Sequence, residues 1–351
     1  MNTPLVLLIL VTLLCLFFQR SKLITCLTFF FIWTLSWTES QPDYSNYHTM
    51  YFDETSTDIG YAWITLLAKT VGWDYFTFRL VFLGVGWIIY AWFIIKFSKR
   101  CALISVIYLW TLSVYDMVQN RNFVAFAICL IGISLLFRNQ SLKNQFCFFI
   151  IILIASSIHV TCAFFLLFLV LNKNILERLS KFQIFISSVI CAIILLFFFT
   201  QQILYKIDNY DTGVSTLTKT LLLLLFITNI VFIYYVKRFR TWDKWIEKLS
   251  YSQRSYSFIN KDTIWKYNVA LLLLLPASFM SLSALRIFKY SGLLNVCYAS
   301  NRLETHYFFN NVFLTLLLIV YSGSFSLVSY MMHALSFLHV VMPPFYDNIF
   351  Y

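Results

Sequence analysis

Apolar runs close to bilayer length follow one another along almost the whole chain and leave no polar stretch long enough for a water-soluble domain. Of the 351 residues, 60% are hydrophobic and only 12% charged, against about 45–50% and about 25% in soluble domains. The chain therefore reads as an all-α, polytopic integral membrane bundle. We expect one domain over residues 1–351, with about ten to twelve membrane segments.

Pro4–Phe18 and Leu23–Trp37 read as two short spans around the basic turn Gln19-Arg20-Ser21-Lys22. Basic loops stay on the cytoplasmic side, so the acidic, tyrosine-rich loop that follows is expected outside. Within the outer region 40–75, Ile59, Trp63, Leu66 and Leu67 share one helical face, with Thr65 and Lys69 opposite. This predicts an amphipathic helix over Ile59–Val71, lying on the outer surface and capped by Asp58. Phe76–Phe97, Ala102–Val118 and Phe123–Phe137 are the next spans, and the second of them delivers Gln119-Asn120-Arg121-Asn122 to the outside.

Phe146–Leu171 carries Ser156-Ser157-Ile158-His159-Val160-Thr161 in its middle. As a single span it would place the basic loop Asn172–Lys181 outside. As two half-helices broken at His159 it keeps that loop inside and the acidic loop Gln201–Ser215 outside, so the broken form is preferred. Irregular backbone at membrane depth is tolerated where it lines a cavity. Phe182–Thr200 and Leu217–Val236 lead to a basic loop, Lys237–Lys266, with eight basic residues against Asp243, Glu247 and Asp262. Its Trp242, Trp245, Ile246 and Leu249 fall at helical spacing, which predicts a short interfacial helix. Thr263–Ser281, kinked at Pro276, then Leu285–Ala299 and Asn311–Tyr330, complete the bundle. The tail from Met331 receives no assignment.

The net charge of +11 sits in loops beside spans, where it marks topology and lipid contact; nucleic acid is not an expected partner. All eight cysteines lie in or beside apolar runs, without the CxxC or Cys/His spacing that holds zinc. No serine elbow or phosphate-binding glycine loop is present. We expect no metal and no cofactor. Chemistry must then come from acids, arginines and a histidine.

Arg121 carries a charge it cannot lose at the edge of hydrocarbon, where a buried arginine costs roughly 2.5–3.5 kcal/mol. It either snorkels to headgroups or pairs with an anion. The topology gathers Asp43, Tyr44, Tyr47, Asp58, Tyr61, Arg79, Asp116 and Arg121 at the outer face, with His159 and Arg286 reaching it from within. Singly, each has a plain role: an aromatic belt for the tyrosines, a helix cap for Asp58, an interface anchor for Arg79, an interhelical hydrogen bond for His159. Together they suit a substrate with a lipid diphosphate and a sugar. Arginines would stabilise the leaving diphosphate, and a carboxylate or histidine would deprotonate the incoming hydroxyl.

The chain resembles the EpsG/Wzy-like polysaccharide polymerases. The matching elements are Asp43-Tyr44-Ser45-Asn46-Tyr47, Asp58-Ile59-Gly60-Tyr61, Gln119-Asn120-Arg121-Asn122-Phe123-Val124-Ala125 and Ser157-Ile158-His159-Val160-Thr161-Cys162-Ala163. They cover about residues 40–165 in order; the remainder matches in hydropathy and loosely around Arg286. Asn122 stands where Gln is commoner, and Asp58 where Glu is commoner. The resemblance implies a multi-pass glycosyltransferase of the bacterial inner membrane, independent of metal and nucleotide. Its substrate would be an undecaprenyl-diphosphate-linked oligosaccharide, polymerised at the outer face into O-antigen, capsule or exopolysaccharide. A chain-length regulator and a repeat-unit flippase are the implied partners. By residue matching, Arg121 would act on the diphosphate with Arg286 as a second candidate. His159 and Asp58 would be acid/base or acceptor-orienting groups. Asp43, Tyr44, Tyr47 and Tyr61 would line the sugar groove. The rival readings are a flippase of the same repeat, which would show two related halves, and a membrane acyltransferase acting on glycans.

Overall fold

The computed structural model of the protein describes residues 3–41, 43–53, 56, 58–138, 141–170, 216–238, 261–274, 284–302, 315–324, 343–346 and 348. Outside them lie the expected loops 172–181 and 201–215, the span 182–200, residues 239–260 of the basic loop, and the expected kink at Pro276.

The described chain is helical apart from one isolated bridge between Thr38 and Asn348. Two apolar helices, α1 (Thr3–Phe17) and α2 (Lys22–Leu35), are joined by the short turn at Gln19. Ser21 caps α2 by accepting from the Ile24 amide. α3 (Tyr44–Asp53) and α4 (Ile59–Thr70) are short, and α5 (Tyr75–Phe97) starts on an Asp74 cap. α6 (Cys101–Thr111) and α7 (Ser113–Val118) come before the long helix α8 (Asn120–Arg138) and then α9 (Leu142–Ile158). A 3-10 turn, Val160–Leu166, runs into α10 (Leu167–Val170). α11 (Thr216–Arg238), α12 (Lys261–Ala270), α13 (Ala284–Arg302) and α14 (Thr315–Ser324) follow. Three of these, at Tyr75–Phe97, Asn120–Phe137 and Lys219–Lys237, are long and apolar enough to cross a membrane by themselves.

The predicted span Ala102–Val118 is not continuous. It breaks at Leu112, where the Thr111 hydroxyl donates to the Ile107 carbonyl and the Ser113 hydroxyl to that of Leu109. Hydroxyl back-bonding of this kind loosens and bends helices. The break at His159, by contrast, lies where the polar cluster predicted it.

Which ends of the helices meet decides where a site can form. Trp33 on α2 donates to the Leu80 carbonyl on α5, so these helices run antiparallel. α5 and α8 run the same way, with Gly86 against Phe123 and Phe97 beside Phe137. A Cβ on Gly86 would sit 2.4 Å from the Phe123 ring, so only glycine admits that aromatic between the helices. α9 returns antiparallel to α8, with Asn144 donating to the Leu135 carbonyl. The start of α8, the end of α9, and the helices α3 and α4 are thereby collected at one end of the bundle. At the opposite end, Asn301 on α13 binds Phe97 and Lys99, and the Gln19 carbonyl accepts from Ala102 and Leu103. Near the chain terminus, Pro343–Tyr346 forms one helical turn, and Asn348 donates to the Thr34 carbonyl beside its bridge to Thr38. The tail thus comes back to the end where α2 meets α3.

Candidate active site

The site is built around the point where α9 stops. His159 is extended (φ −154°, ψ 116°) and ends the helix. Its Nδ1 lies 2.8 Å from the Thr161 hydroxyl, which in turn lies 3.1 Å from Asn122 Oδ1 in the first turn of α8. A chain of polar groups, His159–Thr161–Asn122, therefore ties the broken helix to the helix that carries Arg121. α4 packs against this corner through Gly60. A Cβ there would fall 2.2 Å from Ser157 Oγ and 2.8 Å from the Ser157 carbonyl carbon. The glycine allows the backbones to meet, and so brings Asp58 to the end of α9.

Asp58 stands at the N-cap position of α4, but its side chain makes no capping hydrogen bond. Instead Arg121 Nη1 donates to Asp58 Oδ2 at 2.8 Å. This corrects the helix-cap reading, because a carboxylate gains more from a guanidinium than from a neutral amide. Arg121 is not snorkelling either. Its side chain is 16% exposed and that of Asp58 12%, and its guanidinium lies 5.4 Å from the ring centres of both Tyr47 and Tyr61. Ser56 adds a longer contact at 3.5 Å. Arg121 Nε–H is buried without a hydrogen-bond partner among the described residues. Burial pushes the Tyr61 phenol well above its ordinary range, so at neutral pH it is a neutral ring and hydrogen-bonding group, and no source of charge.

The tyrosines of α3 and α4 split between two cations. Arg79 is buried: it donates to the Thr38 carbonyl at 2.7 Å and to Gln41 Oε1 at 2.5 Å, and lies 5.2 Å from the Tyr44 ring. It is an internal clamp on the loop between α2 and α3, which corrects the interface-anchor reading; its two Nη groups are spent on loop acceptors, while its Nε–H, like that of Arg121, is buried without a hydrogen-bond partner among the described residues. Tyr44 also donates to Glu39. Asp43 sits immediately before α3, where its carbonyl accepts from the Tyr47 amide. The expected sugar-groove residues are thus neighbours, with Tyr47 and Tyr61 on Arg121 and Tyr44 on Arg79.

The sequence profile of the EpsG family matches residues 5–341. The chain belongs to the EpsG family. This is a Wzy-like polymerase family, and with its long apolar helices the protein is a membrane protein of polysaccharide polymerase-like function. No curated protein and no solved structure matches the chain. The match includes the carboxy-terminal half, where the sequence resemblance rested on little more than hydropathy.

That half supplies a second ion pair to this EpsG-family protein. Asp116 is fully buried, and the expectation that it faces an outer groove with Asp58 and Arg121 does not hold. Lys289 on α13 donates to its Oδ1 at 2.7 Å, Tyr290 donates to the same oxygen at 3.1 Å, and Tyr108 donates to Oδ2. Arg286 falls in the first turn of α13, one turn before Lys289; its side chain lies outside the described residues. Residue-by-residue reading missed Lys289, Asn122, Thr161 and Ser56 as parts of the two clusters. For Lys289 a signal existed: a second cation three residues after Arg286 shares its helix face, in a span where either charge is costly. Among the described residues, no three His, Cys, Asp or Glu side chains gather to hold a metal.

Proposed function

We propose that the protein joins lipid-linked oligosaccharide repeats at the outer face of the bacterial inner membrane, moving the growing glycan from its polyprenyl-diphosphate carrier onto the next carrier-linked repeat. The observation that carries this reading is Arg121: a permanent cation at a bundle end, held by one carboxylate, covered by two tyrosine rings and with one N–H unsatisfied. A diphosphate offers oxygens in the fork geometry that a guanidinium recognises.

In the reaction, the bond between the anomeric carbon and the diphosphate oxygen breaks, and the acceptor hydroxyl oxygen bonds to that carbon. The departing diphosphate keeps the bonding electrons, and Arg121 stabilises the charge it acquires. The acceptor proton goes to a nearby base. Asp58 is paired with Arg121 before substrate arrives; a diphosphate that takes over the guanidinium leaves the Asp58 carboxylate available for that proton. His159, anchored through Nδ1 to Thr161, sits at the adjoining helix end and orients the acceptor. Tyr47 and Tyr61 supply ring faces for the sugars.

The test compares Arg121→Lys and Arg121→Ala at matched membrane levels in a strain lacking its own copy of the gene. Lys keeps the charge and loses the fork. Losing one charge-assisted hydrogen bond, worth about 1.5–3 kcal/mol, slows polymerisation roughly tenfold to a hundredfold. Normal polymer ladders from both variants would remove Arg121 from the reaction. Loss of every repeat, including the first, would indicate a flippase.

A further inference from the structure

Arg121 can serve a diphosphate only if its guanidinium is held to within a fraction of an ångström, because the fork has to meet two oxygens at once. Asp58 and two tyrosine rings hold the tip of that side chain. Its root, in the first turn of α8, is held from elsewhere.

α7 leads into that turn, and it is six residues long between breaks at Leu112 and Gln119. Gln119 (φ −88°, ψ 58°) is the single non-helical residue between α7 and α8. Its amide donates to the Tyr115 carbonyl, and its own carbonyl accepts from the Phe123 amide, so α7 and α8 form a tight corner with Arg121 beside it. A helix as short as α7 cannot fix its own position; its neighbours must. α13 does so on both arms of the corner. On the α7 arm, Lys289 donates to Asp116 at 2.7 Å and Tyr290 donates to it at 3.1 Å, with Tyr108 of α6 donating to the other oxygen. On the α8 arm, the Tyr290 ring stacks on Phe126, with centroids 4.2 Å apart and planes at 18°. One side chain thus bridges the corner, through its hydroxyl to α7 and through its ring to α8. Asp116, Phe126 and Tyr290 are all buried, and α13 is secured apart from them by Asn301, which binds Phe97 and Lys99.

These interactions suit a geometric role better than a stabilising one. Apolar residues of similar volume often hold a bundle as well as a buried ion pair does, or better. A carboxylate with donors converging from α6 and α13 does something apolar packing does not: it fixes both the position and the rotation of α7 against two neighbours. Without the hydroxyl of Tyr290, ring stacking on Phe126 still holds α8 to α13, but α7 is free to turn about Gln119.

We propose that Tyr290, together with the Lys289–Asp116 pair, is a positioning device for Arg121: it sets the angle of the α7–α8 corner and hence the place at which the guanidinium meets substrate. Tyr290, Lys289 and Asp116 are positioning residues and do not touch substrate themselves. The proposal rests on the role given to Arg121 above and adds what holds that arginine in register.

The experiment is a double-mutant cycle on the full-length protein, expressed at matched membrane levels in a strain lacking its own copy of the gene, with the rate of ladder formation as readout. Its variants are Tyr290→Phe, Arg121→Lys and the two combined. Phe keeps the ring on Phe126 and removes the hydroxyl from Asp116. Alone it is expected to slow polymerisation roughly tenfold, as a misplacement well under 1 Å would. Residues that share no partner ordinarily act additively, so a tyrosine that only holds the bundle would slow the Arg121→Lys protein by the same factor. A tyrosine acting through the guanidinium fork is expected to slow that protein by less than about twofold, because the fork is already gone. Equal slowing in both backgrounds would overturn the proposal, and so would no slowing in either. The paired change Asp116→Asn with Lys289→Met, which leaves neither charge unpaired, is run through the same cycle; it carries the same expectation, and decides the matter if Tyr290→Phe reaches the membrane poorly. An unchanged rate for Arg121→Lys alone would sink the role of Arg121 in the reaction and this proposal with it, whereas additive effects beside a slow Arg121→Lys protein would sink the proposal and spare that role.

Discussion

Two of the polar clusters in this apolar bundle, the asparagine ring and the Arg121–Asp58 pair, are completed differently. In the carboxy-terminal half, Asn229 on α11, Asn268 on α12 and Asn295 on α13 close a ring. Asn229 donates to Asn268 at 2.9 Å, Asn268 to Asn295 at 2.9 Å, and Asn295 back to Asn229 at 2.9 Å. Tyr321 on α14 joins it by donating to Asn229 Oδ1 at 2.6 Å. The ring is neutral and buried, and its carbonyl oxygens all accept. At the other cluster, Arg121 and Asp58 are charged and partly exposed, and one Arg121 N–H is left over. A closed neutral ring across four helices holds them together. An incompletely satisfied ion pair at a bundle end costs stability and retains the capacity to bind. The contrast separates residues that hold the bundle from those we propose act on substrate.

The strongest challenge to that separation is Arg121→Ala. It is expected to lower polymerisation by about a hundredfold or more, with the protein still inserted at normal levels; an equal fall in abundance would show that the pair holds the fold. Asn295→Ala is the converse. It strips donors from Asn229, Asn268 and Tyr321 at once and is expected to destabilise by about 1–3 kcal/mol, lowering the melting temperature of the purified protein. Polymer made per folded molecule should stay within about twofold, and a larger loss with an unchanged melt would place the ring in the reaction.

Gly60→Ala tests the close approach that brings Asp58 to the end of α9. The added methyl meets backbone of Ser157, so α4 must move, and a misplacement well under 1 Å is expected to cost roughly tenfold in rate. Unchanged polymer output would mean that the α4–α9 contact does not set the site geometry. The smallest effect expected is that of Thr161→Val, which removes the hydroxyl between His159 and Asn122. Loss of one neutral hydrogen bond, about 0.5–1.5 kcal/mol, predicts a drop of a few-fold in ladder intensity. Thr161→Ser, which keeps the hydroxyl, should restore it.

Much of this molecule was legible before any coordinates. Apolar runs marked the helices, because in a bilayer each backbone group must find its partner within its own segment. The polar cluster Ser156–Thr161 marked the break at His159, and Ile59, Trp63, Leu66 and Leu67 marked the face of α4 that remains exposed in the structure. Arg121 and Asp58 were both singled out. That they bind each other was not, since the same carboxylate at the head of α4 satisfies a helix-cap pattern equally well.

The tertiary structure decided between those uses by bringing the start of α8 against the start of α4, with the partners 63 positions apart. It likewise paired Asp116 with Lys289 across 173 positions and closed the asparagine ring between helices that share no local pattern. The sequence by itself determined the class, most of the apolar helices, the break at His159 and the inventory of charges, all of which follow from periodicity and local chemistry; the break at Leu112 and helix α3 it did not show. The pairing of those charges depends on which helix faces can approach. That is settled by contacts such as Gly60 on Ser157 and Gly86 on Phe123, where the absence of a side chain on one helix makes room for another far away in the chain.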